Sequence, residues 1–159
     1  MTLTIRDATP ADADLVVEFN AKLAAESEGK TLDPDHIGPG VRSLLEDPAR
    51  GRYFLACDNG QVVGQLCITY EWSDWRNGWF WWFQSVYVIR AARRTGTFSA
   101  LFDHVRQMAE TRDDVCGLRL YVDDDNRDAQ RVYAARGMAR AGYHVMEIDF
   151  RSPQRKGTL

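Results

Sequence analysis

The pattern of hydrophobic and polar residues predicts a strand and two helices in the first third of the chain. LTIR alternates, as a strand does. A cap, a proline and a first-turn acid then mark a helix start: Thr9, Pro10 and Asp12. Hydrophobic residues recurring every four positions carry this helix to about Glu26. The turn-rich stretch EGKTLDPDHIGPG is predicted as a loop, before a short second helix built around Val41 and ending near Asp47.

The middle of the chain predicts three strands joined by tight turns. RYFLAC and QVVGQLCITYEW flank the sequence Asp58-Asn59-Gly60, whose residues accept positive φ and favour a hairpin. Gly64 inside the second strand indicates a bulge or the close approach of another backbone. After the turn SDWRNG, the apolar run WFWWFQSVYVI predicts a long strand that is covered on both faces.

The last third predicts two helices, each followed by a strand. After an arginine-rich loop in the sequence, hydrophobic residues at helical spacing predict the third helix: Phe98, Leu101, Phe102, Val105 and Met108. GLRLYV is the next strand, NRDAQRVYAARG is a helix that Gly137 can terminate, and YHVMEIDF is the last strand. The order β-α-α-β-β-β-α-β-α-β predicts an α/β sandwich around a mixed sheet.

Composition narrows the possible functions. The 159 residues are 45% hydrophobic, which fits one domain over residues 1–150 and a polar tail over 151–159. A formal net charge of −3 argues against a general nucleic-acid binder. The first residues lack the apolar segment of a secretory signal, and no apolar run is long enough to span a membrane. Three widely spaced cysteines, without a paired motif, favour reduced thiols in a cytoplasmic protein.

The most informative loop is RRTGTF, residues 93–98, between the long strand and the third helix. The first N–H groups of a helix have no partners within it, and the helix dipole is positive there. Gly96 lets the backbone approach a ligand closely, and Arg90, Arg93 and Arg94 add charge suited to phosphate. The loop is neither a Walker A nor a GxGxxG motif. It predicts an anion site, best suited to a pyrophosphate, although solvated surface loops have the same composition.

A second group of residues lies further along, in LRLYVDDDNRDAQRVYAARGM. Asn126 can cap the helix, and Tyr133 lies two turns further on, on its apolar stripe. A tyrosine at such a position is either structural, with a satisfied hydroxyl, or a positioned proton donor. The pattern alone leaves both interpretations open.

Together these residues resemble the GNAT family of N-acetyltransferases. The family loop (Q/R)-x-x-G-x-(G/A) corresponds here to Arg93, Arg94, Thr95, Gly96, Thr97 and Phe98, with Phe98 in place of the final small residue. The family motif N-x-x-A-x-x-x-Y, followed by G-M, corresponds to Asn126, Ala129, Tyr133, Gly137 and Met138. The opening TIRDATPADAD is also similar, so the resemblance extends to about Phe150. It implies the acyl-CoA N-acyltransferase fold, an α/β fold with a mixed, mostly antiparallel central sheet flanked by helices.

The resemblance also implies the co-substrate acetyl-CoA and no metal. The pyrophosphate would bind the backbone amides of Arg94 to Phe98, next to Arg93. The pantetheine arm would pair with Val86, Tyr87 and Val88, where neighbouring strands diverge. The second motif would complete the cofactor site with Asn126, Ala129 and Tyr133.

The implied reaction is direct attack on the thioester by a primary amine of a small molecule or peptide. A backbone N–H near Val86 to Val88 would stabilise the developing oxyanion. Tyr133 would donate a proton or hydrogen bond to the departing thiolate. The strand before the loop has no carboxylate, so the candidate bases are Glu71, Asp74 and Glu26, and a chain of waters is an equal alternative.

Five tryptophans fall between Trp72 and Trp82. They predict core packing or a homodimer surface, and alternatively an aromatic wall for the acceptor at Trp79 and Trp81, with Gln84. On a strand, Trp79 and Trp81 face one way and Trp82 the other. Two further functions stay open: a non-catalytic acyl-CoA-binding regulatory module, suggested by Phe98, and an acyltransferase with another donor or acceptor.

Overall fold

The computed structural model describes residues 2–151, which divide after Tyr121 into two compact units. The helices and strands of the first unit are, in chain order, β1 (Leu3–Asp7), α1 (Ala13–Glu28), α2 (Pro34–Glu46), β2 (Arg52–Asp58), β3 (Gln61–Ser73), β4 (Gly78–Val88), α3 (Thr97–Glu110) and β5 (Val115–Leu120). Short 3-10 turns precede α1 and α3, at Pro10–Asp12 and Arg90–Ala92. The second unit contains α4 (Arg127–Ala135).

The sheet has five strands in the order β1-β2-β3-β4-β5. The first three pairs are antiparallel, and β4 pairs with β5 in parallel. This confirms the predicted mixed, mostly antiparallel sheet. On one face, Phe102 of α3 packs against Phe83, with ring centroids 5.3 Å apart. On the other face, Val16 of α1 and Val41 of α2 form a core cluster with the strands.

The 3-10 turn that leads into α1 is set locally, by the residues that the sequence predicted as a helix start. The backbone N–H of Thr9 donates to Asp12 Oδ2 over 2.8 Å, one half of a capping box. Arg6 holds the same carboxylate with two hydrogen bonds of 2.9 Å. At the other end, Gly29 has φ 61°, a left-handed conformation that glycine adopts without steric cost.

The second helix begins earlier than predicted. The sequence interpretation assigned residues up to Gly40 to a loop, whereas α2 begins at Pro34 and contains Pro39. Asp33 caps this helix, since its Oδ1 accepts from the N–H of Asp35 over 2.9 Å. Proline in the first turn needs no hydrogen-bond donor, so Asp33-Pro34 is a helix start rather than a turn.

In the second unit, local signals again define the helix. Asn126 Oδ1 accepts from the N–H of Ala129 over 3.1 Å, which confirms the predicted cap. At the C-terminus, Gly137 has φ 91°, and the N–H of Met138 donates to Tyr133 O over 3.1 Å, as in a Schellman motif. Residues 143–150, predicted as the last strand, have no strand assignment, so this prediction is not confirmed. The predicted tail, apart from Arg151, lies outside the described residues.

Candidate active site

Strand β4 changes its pairing halfway along. From Trp79 to Phe83 it pairs with β3 on one side and with β5 on the other, and the last pair with β5 is Phe83 with Leu120. From Gln84 to Val88 the pairing with β3 continues, and the described residues contain no further β5 pair. In the second half of β4, the backbone edge on the β5 side therefore has no strand partner among the described residues.

A bulge lies at the start of this second half. Cys67 pairs with Gln84, and Gln65 pairs with Tyr87, so β4 has one more residue than β3 between these pairs. Ser85 occupies the bulge with φ 50°, an unusual conformation for a residue other than glycine. Its carbonyl accepts a hydrogen bond of 3.0 Å from Gln65 Nε2.

Buried polar side chains lie beside the bulge, on the face that α1 covers. Tyr53 is 5% exposed, and its hydroxyl contacts the side chains of Ser85 and Cys67 and accepts from Asn20 Nδ2 over 3.1 Å. Burial raises the pKa of the Tyr53 hydroxyl and that of the Cys67 thiol to about 12. Both groups therefore favour their protonated forms at neutral pH, which makes Cys67 a poor nucleophile.

The arginine-rich turn leads directly into α3. Arg94 and Gly96 have φ 62° and 90°, and Thr95 Oγ1 donates to Ala92 O over 2.6 Å. The first hydrogen bond of α3 runs from the N–H of Ala100 to Gly96 O over 2.9 Å. The amides of Gly96 and Thr97 lie ahead of that bond, at the positive end of the helix dipole.

Gly64 allows α3 to begin close to the strands. A Cβ atom at Gly64 would lie 3.1 Å from Thr97 Cγ2 and 3.1 Å from Tyr87 O. The close approach predicted from this glycine is therefore observed, and it connects the first residue of α3 to the second half of β4. Phe98 stands where the family loop has a small residue. The centroid of its ring lies 6.0 Å from that of the buried Phe102 ring.

Two of the three arginines pair with a carboxylate of the protein. Arg93 Nη2 lies 2.6 Å from Glu26 Oε2, and Arg90 Nε lies 3.3 Å from Glu26 Oε1. Arg93 also donates to Val88 O over 2.9 Å, at the end of β4. The hydrogen bond from Arg93 lowers the pKa of Glu26, and the charges of both arginines add to this. Glu26 is thereby a weaker base than an ordinary glutamate.

The other two candidate bases differ in their surroundings. Glu71 on β3 accepts from Trp82 Nε1 over 2.8 Å and pairs with Arg119 of β5 over 3.3 Å. Asp74 lies exposed in the turn between β3 and β4, where its carbonyl accepts from the N–H of Asn77. Of the three, Glu71 is the one that the strand register places directly beside β4, opposite Phe80.

The sheet separates the predicted acceptor residues. Trp79 and Trp81 pack edge-on against Tyr70, on the face that carries α3. Gln84 lies on the opposite face, where its Nε2 donates to Thr69 Oγ1 over 3.3 Å. The structure thus does not bring the three together, and Trp82 shares a face with Gln84 instead.

Tyr133 lies half-buried in the second unit. Burial raises the pKa of its hydroxyl above the usual value, so this phenol keeps its proton at neutral pH. The spacing of Asn126 and Ala129 in the same motif has a structural cause, because the two form the cap of α4.

Several residues of this region were missed by the sequence interpretation. Gln65 contacts the bulge at Ser85. Arg119 pairs with Glu71. A signal for Gln65 was present, since a polar side chain interrupts the apolar run VVGQLCI. Ser85 gave no signal, because serine does not usually mark positive φ.

Two classes of site find no support in the described part of the chain. Residues 2–151 contain no group of three or more histidine, cysteine, aspartate or glutamate residues placed to bind a metal ion. Within the same range, no helix combines the length and the apolar character that crossing a bilayer requires.

Comparison with known proteins agrees with the geometry. The model of the acetyltransferase (GNAT) family matches residues 18–138. A possible acetyltransferase from Clostridium difficile 630 is 39% identical, with a TM-score of 0.89 over 96% of this chain and 100% of the other. A ribosomal-protein-alanine N-acetyltransferase from Brucella melitensis biovar Abortus 2308 shares the fold at 21% identity, with a TM-score of 0.74 over 94% of this chain and 99% of that chain. No curated protein matched the chain. The chain belongs to the GNAT family and is an acyltransferase.

Proposed function

We propose that this protein transfers the acetyl group of acetyl-CoA directly to a primary amine. The observation that carries the proposal is the second half of β4, a bulged strand with one open backbone edge that runs into a turn and the start of α3. Acetyl-CoA needs all three features: an extended edge for its arm, a donor for its carbonyl and a positive site for its diphosphate. The described residues offer a candidate for each of the three.

The diphosphate site would lie at the turn before α3. The amides of Gly96 and Thr97 precede the first hydrogen bond of the helix, and a helix N-terminus favours an anion. Arg94 has no ion pair among the described residues, whereas Arg90 and Arg93 share Glu26. We therefore assign the direct charge contact to Arg94 and a supporting role to Arg93.

The arm would pair with the open edge of β4 at Val86, Tyr87 and Val88. Acetyl-CoA supplies a thioester whose carbonyl carbon the amine attacks. The N–H of Val86 would donate to the carbonyl oxygen as negative charge develops there, an effect typically worth several kcal/mol. The phenol of Tyr133 would donate a hydrogen bond to the departing sulfur, because its raised pKa keeps it protonated.

The acceptor amine would approach on the α1 and α2 face, beside Trp82 and Gln84. Glu71 lies on this face and is our preferred carboxylate for receiving the ammonium proton, either directly or through water. Trp79 and Trp81 face α3 instead, so we assign them to packing. Structures with this fold include proteins named for a ribosomal protein and for an aminoglycoside, so the fold alone does not set the size of the acceptor.

The cellular setting is part of the proposal. Three free cysteines suit a reducing cytoplasm, where such thiols persist. The homodimer suggested by the tryptophans stays a prediction.

The first experiment is CoA release from acetyl-CoA across a panel of primary amines. We expect release above the hydrolysis background with at least one small-molecule or peptide amine. Tight acetyl-CoA binding without release for any acceptor would instead favour a regulatory acyl-CoA-binding module.

The second experiment replaces Tyr133 with phenylalanine. We expect turnover to fall by about tenfold to a hundredfold, because the departing thiolate loses its donor, while acetyl-CoA affinity stays unchanged. Tyr143→Phe is the matched control, since Tyr143 is 77% exposed in the same unit. Unchanged turnover in Tyr133→Phe would remove this residue from the mechanism.

A further inference from the structure

The residue that the proposed reaction leaves unexplained is Gln65. Its side chain is fully buried, at 0% exposure, on a strand that is otherwise apolar at this point. Its Nε2 donates to Ser85 O over 3.0 Å, and its Oε1 has no hydrogen-bond partner within residues 2–151. Buried polar atoms in folded proteins are nearly always bonded, and exceptions require an explanation. The hydrogen bond to Ser85 accounts for one end of the amide, and Oε1 is the atom that requires an explanation.

The partner of Gln65 is the peptide that forms the bulge. The carbonyl of Ser85 and the N–H of Val86 belong to one peptide unit, and the described chain contains no cis peptide bond. In a trans peptide these two groups point in opposite directions. By holding Ser85 O, the amide of Gln65 fixes the plane of that peptide and directs the N–H of Val86 away from Gln65.

The bulge needs such support. Ser85 has φ 50°, where a side chain has unfavourable contacts with its own backbone. Strained conformations of this kind persist only when the surrounding structure holds them. Next to the bulge, pairing with β5 has already ended at Phe83, so one side of the strand contributes no ladder hydrogen bonds from the described residues.

We propose that Gln65 is a positioning residue for the thioester: it locks the Ser85–Val86 peptide so that the N–H of Val86 is aimed at the thioester carbonyl oxygen. This inference rests on the proposed function, because it requires acetyl-CoA at the open edge of β4. Gln65 itself touches neither reacting group. Its effect on the reaction passes through the orientation of one backbone amide.

The test is isotope-edited infrared spectroscopy of acetyl-CoA labelled with carbon-13 at the acetyl carbonyl. A hydrogen bond to this carbonyl lowers its stretching frequency. We expect bound wild-type protein to shift the band below its position in free acetyl-CoA. In Gln65→Met, which keeps the volume but removes the donor, the band should return at least halfway to the free position. Acetyl-CoA affinity should stay within about threefold, because the diphosphate contacts and the pairing at Tyr87 and Val88 are untouched.

Two further variants separate positioning from general destabilisation. Gln65→Asn keeps a buried amide but shortens it by one methylene, so we expect the same band shift as in Gln65→Met. Val41 of α2 is 4% exposed, so Val41→Ala removes buried methyl groups. This variant should lower the melting temperature and leave the band at its wild-type position. With an acceptor from the amine panel, turnover of Gln65→Met should fall by about tenfold.

The outcomes are distinguishable. If wild-type protein fails to bind acetyl-CoA, the proposed function falls, and this inference falls with it. If wild-type protein binds and shifts the band, but Gln65→Met and Gln65→Asn bind and give the wild-type band, only the role of Gln65 is overturned. If the band of Val41→Ala also moves back toward the position of free acetyl-CoA, the shift in the Gln65 variants reflects lost packing rather than lost positioning.

Discussion

The two halves of β4 show how one strand serves two purposes. From Trp79 to Phe83 it is paired on both sides, and Phe80, Trp81 and Phe83 are at most 7% exposed. From Gln84 to Val88 it is paired with β3 alone, contains the bulge at Ser85 and ends at the arginine-rich turn. The first half stabilises the sheet, whereas the second half offers backbone groups to a ligand.

The difference shows why a binding edge needs buried support. In the first half, side chains on both faces and two neighbouring strands hold the backbone. In the second half, β3 is the one neighbouring strand among the described residues, and two side chains add single hydrogen bonds to the backbone: Gln65 holds Ser85 O, and Arg93 holds Val88 O. Changes in the first half should therefore lower stability, and changes in the second should act on ligand geometry as well.

The largest effect on stability is expected from Gly117→Ala, beside the first half. A Cβ atom at Gly117 would lie 2.7 Å from Cε1 of the buried Phe80 ring, which Arg119 covers at 3.6 Å. Overpacking of this kind should lower the free energy of unfolding by about 1–3 kcal/mol. Chemical denaturation measures the loss, and calorimetry should show unchanged acetyl-CoA affinity. A strong loss of affinity would contradict the division between the halves.

A smaller effect on stability, with a clear effect on binding, is expected from Ser85→Val in the second half. A β-branched residue at φ 50° should cost about 1–2 kcal/mol or force the bulge to rearrange. Ser85→Gly is the matched control, because glycine accepts this conformation. We expect weaker acetyl-CoA binding in the valine variant than in the glycine variant. Equal binding and stability in both would mean that the left-handed conformation at Ser85 has no role.

The smallest effect concerns Glu26, whose ion pair with Arg93 supports the end of the second half. Its pKa is lowered in the folded protein, so the pair contributes stability above the unfolded value near 4.5, and the contribution is lost as pH falls through the lower folded pKa. The melting temperature of Glu26→Gln should lie below that of wild type at pH 7, and the gap should close in acid. In an Arg93→Gln background, Glu26→Gln should have a smaller effect, because the longer contact with Arg90 remains. An undiminished gap in that background would assign the effect to a partner other than Arg93.

Much of the fold was predictable because its signals are local. The cap at Asn126, the left-handed Gly137 and the capping box of Thr9 with Asp12 each involve residues a few positions apart. The same locality made the loop around Gly96 recognisable. The start of α2 was misjudged for a related reason, since the breakers Gly38 and Pro39 outweighed the cap at Asp33, although the helix accommodates both.

The site depended on contacts that the sequence does not encode at short range. Gln65 reaches Ser85 across 20 residues, Glu71 meets Arg119 across 48, and Glu26 meets Arg93 across 67. Each contact depends on strand register, on the bulge that shifts it, or on how a helix packs against the sheet, and none of these follows from a local pattern. The sequence alone predicted the order of the elements as far as α4, the caps at Thr9, Asn126 and Gly137, and the family. The tertiary structure decided which carboxylate the arginines share, which face each tryptophan takes and where β4 opens.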